Sequence, residues 1–184
     1  ADLKFALFNG AIWQSVTVDS VGAVGQYTSL AFTPSGQPAI SYLDETNSDL
    51  KYAVLSGANW QRGTVDSVGS VGFYSSLGFT SAGLPAIAYF DNTNFDLKYA
   101  SFNGSTWQFT TVDSTGSVGH YISLKFSPLG QPAISYYDAT NGDLKFASFN
   151  GGVWRRATGG GRLYVAGFHP CWTAVHQLQR FFQR

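Results

Sequence analysis

Apolar and polar residues alternate in short runs along this chain, and the runs return at a fixed spacing. Residues 96–142 show the pattern. LKYASF (97–102), WQFTTV (107–112), SLKF (123–126) and AISYY (133–137) are rich in β-branched and aromatic residues and read as strands. Asn103-Gly104 between the first two is a hairpin signal for a type I′ turn. The connector DSTGSVG (113–119) leads to the third strand, and PLGQP (128–132) turns the chain into the fourth. DATNGD (138–143) then turns into the next copy of the same sequence.

The period is 47 residues. Copies run over 2–48, 49–95 and 96–142 without insertion or deletion, and a fourth begins at Asp143 and loses the pattern after Trp154. The first and third copies agree at 31 of 47 positions. A unit of this size cannot bury its own apolar face and must stack on its neighbours. Four short strands in 40–50 residues is the span of one propeller blade. The expected fold is therefore all-β: a propeller of about four blades of four antiparallel strands, incomplete or closed by oligomerisation, over residues 1–154. A parallel β-helix is the alternative. Small residues (Ala86, Ala88) interleaved with large ones (Ile87, Tyr89) suit sheets partly buried on both faces. The first two strands would need partner strands from the C-terminal end to complete a blade. The chain opens in mid-repeat and carries no initiator Met, which suggests a processed or excised piece of something longer.

Residues 155–184 break every rule of the repeat. They hold five Arg and no acid, whereas residues 1–150 carry a net charge of −5. The stretch VAGFHPCWTAVHQL (165–178), read one base later with permissible codons, spells SLAFTPAGQPSISY. That matches residues 29–42 at 12 of 14 positions. A frameshifted remnant of the fourth copy is the favoured reading of this tail. A real helix through Trp172, Val175, Gln179 and Phe182 is the other.

Composition narrows the function. An acidic body argues against nucleic acid as a partner. The one cysteine, Cys171, lies in the tail, so the repeats have no disulfide framework. No apolar run is long enough to span a membrane. No nucleophile elbow, phosphate loop or zinc spacing occurs. His120 stands where the other copies have Gln26 and Phe73, so it reads as a surface-loop residue and not a catalytic base. No enzyme activity is expected.

The recurring polar residues admit two readings. Asp44, Asp91 and Asp138 open turns that also hold Asn47, Asn94 and Asn141. They are weak calcium candidates, but Asx turns built on the backbone are the favoured reading, and no cofactor is expected. Asp19, Asp66 and Asp113 read as loop caps, and Lys4, Lys51, Lys98 and Lys145 as solvated strand-edge residues; both sets could equally line identical pockets. The recurring aromatics are Trp13, Trp60, Trp107 and Trp154, with Tyr27, Tyr74 and Tyr121. Such rings are either inter-blade core or platforms that stack on sugar rings. As platforms, these seven are the candidate ligand-binding residues.

The segment from Ile87-Ala-Tyr-Phe-Asp91 through Asn103-Gly104 to Trp107, repeated in each copy, resembles the blade motif of bacterial and fungal fucose-binding propeller lectins over about half of each repeat. The repeat is also similar to 47-residue propeller repeats of secreted bacterial proteins. The first resemblance implies a multivalent glycan-binding propeller, and the second a secreted or cell-surface one. In the lectins an Arg and a Glu grip the sugar. Here Ser41, Ala88 and Ser135 fill the Arg position, and Phe5, Tyr52, Tyr99 and Phe146 the Glu position, so the resemblance carries over the Trp alone and does not imply fucose. The alternative function is a structural or protein-interaction propeller, and a homo-oligomer is a candidate state.

Overall fold

The computed structural model describes residues 1–159 and contains strands alone as regular structure. They are β1 (Leu3–Phe8), β2 (Trp13–Asp19), β3 (Val24–Phe32), β4 (Pro38–Asp44), β5 (Asp49–Ser56), β6 (Asn59–Asp66), β7 (Val71–Phe79), β8 (Pro85–Asp91), β9 (Asp96–Phe102), β10 (Trp107–Asp113), β11 (Val118–Phe126), β12 (Pro132–Asp138), β13 (Asp143–Asn150) and β14 (Val153–Thr158). The two readings of the tail fall outside the described residues, apart from its first five.

The sheets are out of phase with the sequence copies. β3-β4-β5-β6, β7-β8-β9-β10 and β11-β12-β13-β14 are four-stranded and antiparallel, and β1-β2 stands as a hairpin. Each full sheet thus takes its two inner strands from one copy and its two outer strands from the next. β3 packs beside β7, and β7 beside β11, the propeller-like arrangement the repeat predicts. The Gly residues of the DSxGxVG connector make the crossing between sheets possible. Gly72 has φ +99°, and a Cβ there would lie 2.9 Å from the Leu50 Cα, so no larger residue fits without backbone movement.

Two local expectations change. Asn103 does not adopt positive φ, whereas Gly104 does, at 97°. The loop is four residues long because Phe102 pairs with Trp107, and the Asn103 carboxamide oxygen accepts the Ser105 and Thr106 N–H groups. β11 begins at Val118, five residues before the predicted start, because register shifts between Val118 and His120 and between His120 and Ser123 break the alternation. His120 is therefore a strand residue, half-buried, and not in a surface loop.

The core lies in the seams between sheets. One cluster (Leu3, Val18, Val24, Ile40, Tyr42, Ala53) joins the β1-β2 hairpin to the first full sheet, and two more join the full sheets to each other. Every residue of β4 is buried. Its Ile40 and Tyr42 face one seam while Ala39 packs into the next, so large residues of one sheet meet small residues of its neighbour. Hydroxyls link the inner strands directly: Ser29 Oγ accepts the Leu77 N–H at 3.0 Å and Ser76 Oγ accepts the Leu124 N–H at 2.9 Å.

Each seam is also pinned by a buried acid. Asp19, at the end of β2, accepts hydrogen bonds from Tyr42 Oη at 2.8 Å, Lys51 Nζ at 3.0 Å and Arg62 Nη1 at 2.8 Å, all in the next sheet. Asp66 accepts Tyr89 Oη and Lys98 Nζ, each at 2.6 Å. Asp113 takes Tyr136 Oη at 2.7 Å, Lys145 Nζ at 2.5 Å and Arg156 Nη1 at 3.1 Å. The loop-cap reading of these acids holds, since Val21, Val68 and Thr115 donate their N–H groups to them. The solvated-edge reading of Lys51, Lys98 and Lys145 does not: their side chains are 13–15% exposed and each lies between two carboxylates. The Lys are drawn inward because the acid of the preceding sheet would otherwise be buried uncompensated.

Burial alone would raise the Asp19 carboxyl, but the bonds from Lys51, Tyr42 and the Val21 N–H outweigh it and hold the group at about 2. The same opposition leaves Asp66 and Asp113 lowered. Burial, then the bonded carboxylate, pushes the Tyr42, Tyr89 and Tyr136 hydroxyls up.

Two outcomes follow. Asp66→Ala leaves the half-buried Lys98 ammonium with only the longer contact to Asp91, at 3.8 Å, and strips Tyr89 of its acceptor, and is expected to cost about 3 kcal/mol in denaturant unfolding; a loss under 1 kcal/mol would show that the pair does not hold the seam. A carboxylate whose folded pKa is depressed stabilises above its unfolded value, 3.8, and loses that contribution as pH falls through the folded value. Asp49 and Asp96, raised by burial and by Asp44 and Asp91, work in the opposite direction. Asp138, lowered by Asn141 and Lys145 against its burial, acts with the three staples, and with these four against two such groups the melting temperature is expected to fall steeply between pH 4 and about 2; a flat profile there would contradict the staple.

Candidate functional site

The seven candidate aromatics separate into two sets on opposite edges of the sheets. Tyr27, Tyr74 and Tyr121 lie on the inner strands β3, β7 and β11, and the Trp residues lie on β2 and on the outermost strands β6, β10 and β14. The structure brings the members of each set into equivalent places but does not bring the sets together.

The tyrosines form a stair across the inner strands. Ring centroids are 4.8 Å apart for Tyr27–Tyr74 and 5.1 Å for Tyr74–Tyr121. All three have left-handed backbone, with φ of 49°, 52° and 51°. Bulky residues rarely hold that conformation, and here it recurs at the register shift that opens each inner strand. His120 packs into the stair, 4.3 Å from the Phe90 ring and 5.2 Å from Tyr74, and its burial lowers its pKa. Tyr121, on the last described sheet, is 73% exposed.

The tryptophans sit in the seams. Trp60, Trp107 and Trp154 meet Phe5, Tyr52 and Tyr99 of the preceding sheet edge-on, at 5.5, 5.9 and 5.2 Å. Burial pushes the Tyr52 and Tyr99 hydroxyls up to about 12. Trp13 has no preceding sheet among the described residues; it packs on Phe8 at 5.6 Å and is 72% exposed.

A cleft of about 650 Å³ opens along the outer seam between the β1-β2 hairpin and the first full sheet. Phe5, Gln14 and Thr17 line one wall and Asn59, Trp60 and Arg62 the other, with Asp19 at its base. An indole, a phenyl ring, two carboxamides and a guanidinium therefore line one space. Arg62 commits one nitrogen to Asp19, and its remaining donors are available to a ligand. Sequence reasoning passed over Arg62. The usable signal was variation at one repeat position, which reads Ser15, Arg62, Phe109 and Arg156. Where Phe109 replaces Arg, its ring lies 5.9 Å from Lys98 Nζ and Asp66 keeps two side-chain donors in place of three.

The weak calcium candidates are engaged within the protein. Asp44 accepts the Asn47 N–H and carboxamide and lies 3.5 Å from Lys51 Nζ; Asp91 and Asp138 repeat this with Asn94 and Asn141. These are Asx turns. Among the described residues no three His, Cys, Asp or Glu side chains cluster as metal ligands, and no helix is long and apolar enough to cross a membrane.

No protein-family model matches the chain, and no curated protein does. Two of the solved structures that the chain is similar to illustrate the likeness. One is a fucose lectin from Kordia zhangzhouensis in complex with methyl-fucoside, at 17% identity over 74% of this chain and 99% of that one, with a TM-score of 0.49. The other is a protein of unknown function from Dyadobacter fermentans, at 12% identity over 84% of this chain and 57% of that one, with a TM-score of 0.61. The likeness to the Dyadobacter protein shows a shared fold, and this chain spans a little over half of that protein's length.

The two Trp environments differ in a measurable way. Trp60→Ala is expected to cost about 2 kcal/mol in stability, as a partly buried seam ring should, whereas Trp13→Ala is expected to stay within about 0.5 kcal/mol. Equal losses in urea unfolding would contradict the placement of Trp60 in a packed seam.

Proposed function

We propose that this protein is a non-catalytic, multivalent carbohydrate-binding propeller, with sugars held in the outer inter-blade clefts. The observation that carries the reading is the cleft beneath Trp60 and Arg62, with Gln14 and Asn59 beside it. A sugar presents an apolar C–H face and a rim of hydroxyls, which an indole and a fork of N–H donors complement. The Trp154–Arg156 pair repeats the arrangement in the last described seam, and the Trp107–Phe109 pair keeps the platform without the donor. Related weak sites on one body gain avidity of roughly 10²–10⁴ when a ligand spans them. Such a lectin would act where glycans are displayed, in secreted form or at a cell surface.

A structural or protein-interaction propeller is the second reading. It is favoured by the edge-on packing of Trp60, Trp107 and Trp154 against the preceding sheet, which suits rings that serve the seam alone. A glycan-array screen with and without calcium separates the two. Binding that weakens about tenfold with Arg62→Ala, a change of about 1.4 kcal/mol, is the expected result. Silence across the array would leave the scaffold reading, and glycan binding indifferent to Arg62 would overturn the placement of the site in this cleft.

A further inference from the structure

Arg62 is surplus to the seam it sits in, as the middle seam shows. There Phe109 stands at the Arg position, and Asp66 accepts Tyr89, Lys98 and the Val68 N–H without a guanidinium. Trp107 still meets Tyr52 edge-on, as Trp60 meets Phe5. The staple and its aromatic contact therefore close without an Arg. In the first seam the Arg62 side chain is 41% exposed and commits Nη1 alone to Asp19. The rest of its planar fork of N–H donors faces outward from that bond.

The same cleft is short of acceptors. Among the described residues that line it, Asp19 is the one carboxylate. Both of its oxygens are filled: Oδ1 accepts the Val21 N–H and Arg62, and Oδ2 accepts Tyr42 and Lys51. A carboxylate has about four lone-pair sites, so none is left for a ligand hydroxyl. The carboxamides of Gln14 and Asn59 donate and accept in equal measure, which leaves the guanidinium donors in excess. The charges agree. Asp19 and Asp44 face Lys51 and Arg62 and balance. In the middle seam Asp66 and Asp91 face Lys98 alone, one negative charge over. A bound anion would bring the first cleft to the balance that the middle seam already carries.

We propose that the Arg-bearing clefts select acidic sugars, uronic or sialic acids, whose carboxylate pairs with the free edge of Arg62 in the first seam and of Arg156 in the last. This rests on the carbohydrate-binding reading above and names the class of sugar. A carboxylate only accepts hydrogen bonds, and its two oxygens match the guanidinium fork with parallel bonds. The hydroxyls of the same sugar meet the carboxamides of Gln14 and Asn59 beside it. Arg156 is placed like Arg62: its Nη1 donates to Asp113 Oδ1 and the Val112 carbonyl, and its side chain is 45% exposed. The middle seam, with Phe109, has no such donor and is not an acidic-sugar site.

The test presents the full chain with glycans in matched pairs: uronosides against neutral hexosides of the same configuration, and sialylated against desialylated glycans. At least one acidic member is expected to bind about fivefold or more tighter than its neutral partner. Arg62→Gln with Arg156→Gln keeps a carboxamide donor at each site and removes the charge, and should bring that pair within about twofold. The fold should tolerate the change, since the middle seam closes without Arg, and urea unfolding of the variant checks it. Arg62→Lys with Arg156→Lys keeps the charge without the fork and should retain a preference for the acidic member. Neutral members bound as tightly as acidic ones, or an acid preference that survives both Gln substitutions, would overturn this inference and leave the carbohydrate reading standing. Silence to every glycan, acidic and neutral, would overturn that reading and this inference with it.

Discussion

The fold hangs on a carboxylate buried between sheets. Asp19, Asp66 and Asp113 end the outer strands and reach into the next sheet, where a Tyr hydroxyl and a Lys ammonium meet each of them. The apolar seam would be satisfied by any close-packed set of Ala, Ile and Leu. The charged group is less permissive, because a buried acid out of reach of its donors is strongly unfavourable. The staple therefore fixes the angle and register of one sheet on the next, and the 47-residue repeat applies that rule three times.

Placement of the staple also shapes the cleft. Arg62 and Arg156 approach their Asp from the solvent side, so the outer seam is left lined by guanidinium and indole groups. Phe109 at the same position closes the polar side and covers Lys98 with a ring. Blades that look alike in sequence thus differ in what they offer a ligand. Copy number and site number need not be equal.

Much of this was legible along the chain. The strand count, the inter-sheet core and the small–large alternation follow from period-two patterning under a 47-residue repeat, and β4 and β8 are buried as that pattern demands. Two kinds of feature failed: those that depended on another copy, and local irregularities within one. Lys51 looks solvated within its own strand because its acid lies 32 residues upstream in a different sheet. Arg62 pairs across 43 residues and gave no local signal. The early start of β11 was hidden because bulges at Gly119 and Tyr121 break the alternation that marks a strand. The Asn103-Gly104 turn was placed correctly but assigned the wrong type, since the Asn side chain, and not its backbone, organises the loop.

A double-mutant cycle across the seam between β6 and β8 tests the staple most directly. Asp66→Asn, Tyr89→Phe and the pair together would be unfolded in urea, and the coupling energy read from the three losses. A buried, charge-assisted bond at 2.6 Å predicts coupling of about 1.5–3 kcal/mol. Losses that simply add, within about 0.5 kcal/mol, would mean that the two groups share a seam without holding it, and that apolar packing alone sets one sheet upon the next.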